Sequence, residues 1–172
     1  MRGWLVSLMF VSGLAYASPT MYTFLSKGQN YSPLDVMQVL EKDYPKMIIT
    51  EFELDVKNSQ VRYEFDMIDL DDNTTTEFYM SAETGRILEQ KVEKLEADDY
   101  EEVTAAKILR KKQMKFSELV TLALKDGTSF AYLTDAQLDH DLGISYLELE
   151  VVNEQHRTKL AFDIQNLRLY QC

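Results

Sequence analysis

The chain has 172 residues, with 29 Asp and Glu against 18 Lys and Arg, for a net charge of −11. An acidic chain repels phosphate backbones, which argues against a nucleic-acid partner. A single cysteine, Cys172, excludes an internal disulfide, and nothing beyond residue 17 is long and apolar enough for a membrane-spanning helix.

Residues 1–17 read as an export signal. Arg2 supplies the positive start, Trp4 to Leu14 is mostly apolar, and Ala15-Tyr16-Ala17 is a small-x-small cleavage site. The expected product is exported, periplasmic or extracellular, without stable membrane insertion. Residues 18–31 have little hydrophobic period and read as an N-terminal tether or a short docking segment. Ser32-Pro33 then opens a helix that places Leu34, Met37 and Leu40 on one face and ends near Asp43, before Pro45. Three strands are predicted next: Ile48–Val56, Val61–Leu70 and Glu77–Ser81. The second alternates Val61, Tyr63, Phe65 and Met67 with Arg62, Glu64 and Asp66, the pattern of a half-buried antiparallel strand. Gly85 supplies a turn, Ile87 and Leu88 extend the sheet edge, and residues 93–114 form an acidic linker and a helix.

The plan then repeats. Ile49-Thr50-Glu51-Phe52-Glu53-Leu54-Asp55 returns as Leu133-Thr134-Asp135-Ala136-Gln137-Leu138-Asp139, an offset of 84 residues from Thr50 to Thr134. The predicted elements are a helix over Phe116–Lys125 closed by Gly127, then strands over Ala131–Leu138, Ile144–Val152 and Lys159–Ile164, then a run to Tyr170. After the second strand the offset drops to 82, from Phe78 to Leu160, which sets Leu167 where Gly85 stood. A turn of different geometry is expected there, because leucine resists a positive φ.

Two stretches carry a resemblance. Val61-Arg62-Tyr63-Glu64-Phe65-Asp66 with Ser81-Ala82-Glu83-Thr84-Gly85-Arg86-Ile87-Leu88 resembles the PepSY domain, and Tyr146-Leu147-Glu148-Leu149-Glu150-Val151 with Phe162-Asp163-Ile164 resembles it again. The resemblance implies an α+β fold of two tandem PepSY-like units, residues 32–92 and 115–172, each one helix packed on an antiparallel three- to four-stranded sheet. PepSY units occur in the propeptides of thermolysin-like secreted metallopeptidases. The resemblance thus implies a module that restrains or binds a secreted or envelope peptidase. It carries over no catalytic residue.

The residues suggest no chemistry of their own. His140 and His156 are expected in inter-strand turns, without a His-Glu-x-x-His pair or a cysteine pair to make a metal site. Asp66, Asp69, Asp71 and Asp72 lack the glycine and distal glutamate of a calcium loop. Ser117 and Ser129 have no placed base, and the basic cluster from Lys107 to Lys112 reads as a solvated helix end. The expectation is a non-enzymatic exported protein without cofactor that binds another exported or envelope protein by strand addition. The third strand of each half is taken as the open edge, with Glu77, Phe78, Tyr79, Lys159, Leu160 and Ala161 as contacts. The alternative is a periplasmic small-ligand or metal sensor with its site in the groove between the halves.

Overall fold

A computed structural model describes residues 19–58, 60–127 and 132–170. The expected export signal, Ser129 and Cys172 lie outside the described residues. Among the described residues four helices, α1 (Pro19–Lys27), α2 (Pro33–Asp43), α3 (Tyr100–Lys112) and α4 (Phe116–Gly127), accompany eight strands. These are β1 (Ile48–Lys57), β2 (Gln60–Asp69), β3 (Thr74–Ser81), β4 (Ile87–Lys94), β5 (Tyr132–Asp141), β6 (Ile144–Val152), β7 (Arg157–Asp163) and β8 (Arg168–Leu169). The fold is mixed helix and sheet, with one antiparallel sheet ordered β4-β3-β2-β1-β5-β6-β7-β8.

Alternation along the strands creates the core. Phe52 and Leu54 of β1, Phe65 and Met67 of β2, Phe78 of β3, Leu138 of β5, Leu147 and Leu149 of β6 and Phe162 of β7 are buried in one hydrophobic cluster. Helices α2 and α4 close it with Met37, Leu40, Phe116, Leu119 and Val120. Glu41 of α2 ties these helices together. Its carboxylate accepts hydrogen bonds from the Ser117 amide at 3.0 Å and the Ser117 hydroxyl at 2.6 Å, at the exposed-donor end of α4. Ser117 is buried, so leaving it unpaired costs about 1–3 kcal/mol.

The seam between the two halves of the sheet is short. Strands β1 and β5 pair through Glu51↔Gln137, Phe52↔Ala136 and Glu53↔Asp135. On each side of it a register shift isolates a threonine: Thr50 between Ile49 and Glu51, Thr134 between Leu133 and Asp135. Both hydroxyls turn onto the neighbouring strand, Thr50 Oγ1 to Asp66 O at 3.4 Å and Thr134 Oγ1 to Glu150 O at 3.2 Å.

Four expectations change. Of the two readings of residues 18–31 the tether gives way to the docking segment: they contain α1, whose Leu25 is buried in the core. Tyr31 is tied down as well: its amide donates to Ala82 O at 2.8 Å, and the Tyr63 hydroxyl donates to Tyr31 O at 2.6 Å. The third strand of the first half is not an edge, because residues 87–94 form a full strand outside it. His140 lies in β5 and not in a turn; the turn is Leu142-Gly143, with φ of 50° and 79°. Finally, Leu167 reproduces the Gly85 turn. Gly85 has φ of 65° and Leu167 of 54°, and their amides donate to Ser81 O and Asp163 O, both at 2.8 Å. Asp163 holds the second turn by accepting from the Gln165 and Asn166 amides, and Leu167 packs against the core.

The left-handed conformation costs a leucine roughly 1–2 kcal/mol, offset here by its packing. Gly85→Ala is therefore expected to lose about 1 kcal/mol, since a Cβ there meets nothing nearer than the Tyr31 ring at 3.8 Å and only the φ cost remains. Leu167→Gly exchanges strain for packing and is expected to change stability by less than about 1 kcal/mol. Urea denaturation of both variants measures the contrast.

Candidate binding surfaces

Three features of the folded chain could receive a partner: the two ends of the sheet, its outward face, and a cavity on the helix side. The predicted contact residues divide among them. Phe78 is fully buried, with its ring 4.9 Å from that of Tyr44. Glu77 and Tyr79 lie opposite Lys91 and Glu89 of β4, inside the sheet. Tyr79 carries the Arg62 guanidinium over its ring at 5.6 Å. The first-half contacts therefore have no open strand edge.

Lys159, Leu160 and Ala161 stand differently. Strand β8 pairs with β7 only at Phe162 and Asp163, and the Tyr170 amide reaches Ala161 O at 2.9 Å. Among the described residues, Arg157 to Leu160 have no strand outside them. Since Ala161 and Asp163 turn their carbonyls outward, alternation turns the backbone of Lys159 the same way. The Lys159 ammonium bonds Glu148 at 2.8 Å across the sheet face. At the opposite end, every residue of β4 is exposed.

The outward face of the sheet is acidic. Register sets Glu51 opposite Asp66, Glu53 opposite Glu64 and Asp135, and Asp66 opposite Glu77. The cations of this face hold acids nearer its flanks: Arg62 with Asp55, Lys91 with Glu77 and Glu93, Arg157 with Glu150, Lys159 with Glu148. Like charges remain directly opposed in the middle, which is destabilising. Burial, then the neighbouring carboxylates, push Glu51 and Asp66 up to about 7 and Asp135 to about 6. Burial also raises Glu64, and raises Glu102 of α3, which accepts from Gln137 Nε2 at 3.4 Å. The individual acids were legible as outward strand positions. Their convergence was not, because it depends on which strands pair.

The cavity, of about 310 Å³, lies on the helix side between the halves. Leu34, Leu54, Tyr63, Leu124 and Leu133 line it, with Tyr31 and Tyr132 also in the lining and 54% and 38% exposed. Tyr31, Tyr63 and Tyr132 are among its lining residues; the acids lie on the other face of the sheet. The remaining sequence candidates are structural. His140 Nδ1 is 2.7 Å from the Ser145 hydroxyl, and Asn153 Oδ1 accepts from the amides of Gln155 and His156 in a hairpin. Asp69 accepts from the Asp71 and Asp72 amides, which hold its carboxyl below the usual range. Among the described residues, no group of three or more His, Cys, Asp or Glu side chains is arranged to hold a metal ion, and no helix is long and apolar enough to cross a membrane.

Part of the chain is similar to known proteins. Residues 30–91, from just before α2 to within β4, match the PepSY family, described as "Peptidase propeptide and YPEB domain". A crystal structure described as a "putative lipoprotein" from Clostridium difficile 630 is similar at 20% identity, covering 86% of this chain and 95% of that one, with a TM-score of 0.47. No curated protein matches the chain.

The acidic face makes stability depend on pH. Glu51, Asp66 and Asp135 titrate higher folded than the usual carboxylate value near 4, so the folded state binds protons in the window between about 4 and 7 that the unfolded chain does not. Stability is therefore expected to rise as pH falls from 7.5 toward about 5. Asp69 and Asp163, held low, lose their contribution only below about 4. Glu51→Gln should raise the melting temperature at pH 7.5 by about 2–4 °C, the shift given by roughly 1 kcal/mol in a chain of this size, and by less at pH 5. Thermal melts of both proteins at the two pH values check it.

Proposed function

We propose that this is an exported, non-catalytic module that binds another exported or envelope protein, with a peptidase as the favoured partner. The PepSY match at residues 30–91 carries the reading, since the family is defined by peptidase propeptides. We further read residues 115–172 as a second, diverged PepSY-like unit. The element order of one helix and four strands recurs, as do the threonine bulges at Thr50 and Thr134 and the turns at Gly85 and Leu167. The contact we assign is the outer stretch of β7 around Lys159 and Leu160. An extended segment of the partner adds there as a strand, through the backbone groups that Lys159 turns outward.

Capture from an envelope extract with the purified protein tests this. The expected result is retention of an exported peptidase whose activity falls in the complex. Lys159→Pro, which removes an outward amide and spares the amides bonded to β6, should abolish retention while the circular dichroism spectrum is kept. Retention of no exported protein, with no exported peptidase activity altered, would overturn the reading.

The cavity favours a second reading, a small-ligand sensor. Its volume and its apolar lining with a few tyrosine hydroxyls suit a small aromatic or aliphatic molecule. A thermal-shift screen of such compounds is expected to give ligands whose stabilisation disappears in Leu124→Trp, which fills the space.

A further inference from the structure

Strand β4 is eight residues long, exposed throughout, and outermost in the sheet. An edge of this length is ordinarily blunted by charged side chains, proline, a bulge or a covering element. Strand β4 carries charges and is bulged at Leu88, but its charges alternate in sign. The Leu95 amide donates to Asn73 O at 3.1 Å, so Glu93, Lys91 and Glu89, in the same phase, turn their backbone inward to β3. Gln90 and Val92 therefore turn theirs outward. Pairing with β3 also fixes the faces. Glu89 and Lys91 lie opposite Tyr79 and Glu77 on the acidic face, while Gln90 and Val92 lie opposite Phe78 and Thr76 on the helix face. Leu88 and Val92 are each 58% exposed.

This pattern is complementary to itself. An antiparallel copy centred on Gln90 sets Gln90 against Gln90 as a hydrogen-bonded pair, which is the phase the outward amides require. Lys91 of each copy then faces Glu89 of the other on the acidic side. Val92 then comes opposite Leu88, the residue that the β4 bulge leaves without a partner on β3. Shifting the centre to Lys91 sets Lys91 against Lys91 and Glu89 against Glu93, which is repelled; centring on Val92 sets Lys91 against Glu93, an acid that Lys91 already holds within its own chain at 3.0 Å. A strand guarded against all pairing would not discriminate between these registers.

We propose that β4 is a self-association edge: two copies of the chain join antiparallel through β4, centred on Gln90, into one continuous sheet. The edge is separate from the β7 stretch assigned above, and the inference does not depend on that assignment.

The test uses charge exchange. Sedimentation equilibrium of the purified protein, over about 1 µM to 1 mM, is expected to show a monomer–dimer equilibrium. K91E sets carboxylates against Glu89 in both copies, and E89K sets ammonium groups against Lys91; each should weaken dimerisation roughly tenfold or more, since two attractive pairs become repulsive. Mixing K91E with E89K restores opposite charges at every position and should restore a heterodimer, as should the E89K/K91E double variant on its own. Circular dichroism confirms that each variant is folded, because Lys91 also contacts Glu77 and Glu93 within the chain. A wild-type chain that stays monomeric throughout the range would overturn the proposal. So would single variants that dimerise undiminished, or folded variants whose mixture fails to pair.

Discussion

Everything in this fold turns on the join between β1 and β5. Three residue pairs make eight strands into one sheet, and both flanks of the join are interrupted by a threonine bulge. A ladder that short supplies few hydrogen bonds, so packing must do most of the holding. Phe52 and Ala136 meet on the helix side of the seam, and α2 and α4 lie over it with their own contact fixed by Glu41 and Ser117. The carboxylate of one half thereby satisfies the helix start of the other. Helix α3 adds a second brace. Its Ala105 and Ala106 are fully buried, small enough for the helix to approach β5 closely, and its Arg110 and Lys112 reach Asp71 and Gln165 at hairpins of opposite halves.

The same join explains the acidic face. A strand with Phe52 and Leu54 turned inward must turn Glu51, Glu53 and Asp55 outward, and each of the other strands obeys the same alternation. Once β1 lies beside β5, Glu53 stands between Glu64 and Asp135, whatever the electrostatic cost. The cations that could relieve it sit toward the sheet's flanks and are already engaged. Proton uptake is the response available to the chain itself, which is why burial and mutual repulsion act together on Glu51 and Asp66.

Local signals in the sequence were sufficient for the elements that have contrast between two faces. The Val61–Met67 alternation and the Ser32-Pro33 helix start both lead to what is observed. Strand β4 escaped because it is exposed on both faces, so its sequence carries no burial period to read; residues 93 and 94 looked like linker for the same reason. His140 was misplaced because Asp139-His140-Asp141 is polar enough for a turn, whereas the strand continues to Leu142-Gly143, where the chain can take positive φ twice. Leu167 was misjudged by weighing its φ preference alone, without the Asp163 hydrogen bonds and core contact that outweigh it. The edge status of Glu77 to Tyr79 followed from missing β4. In each case what sequence could not supply was a non-local partner.

The two ends of the sheet are finished differently although the element order is the same. In the first half the fourth strand runs the full length of the third, from Ile87 to Lys94; in the second half it stops after Arg168 and Leu169. The long outer strand, bulged at Leu88, presents charges that alternate in sign, the basis of the self-association proposed for it. The stub leaves part of the strand beneath it without a neighbour beside Arg157 and Lys159, the place of the proposed strand addition. The difference lies in the outermost strands themselves, Ile87–Lys94 against Arg168–Leu169, because the connections before the third strands, residues 70–73 and 153–156, have the same length.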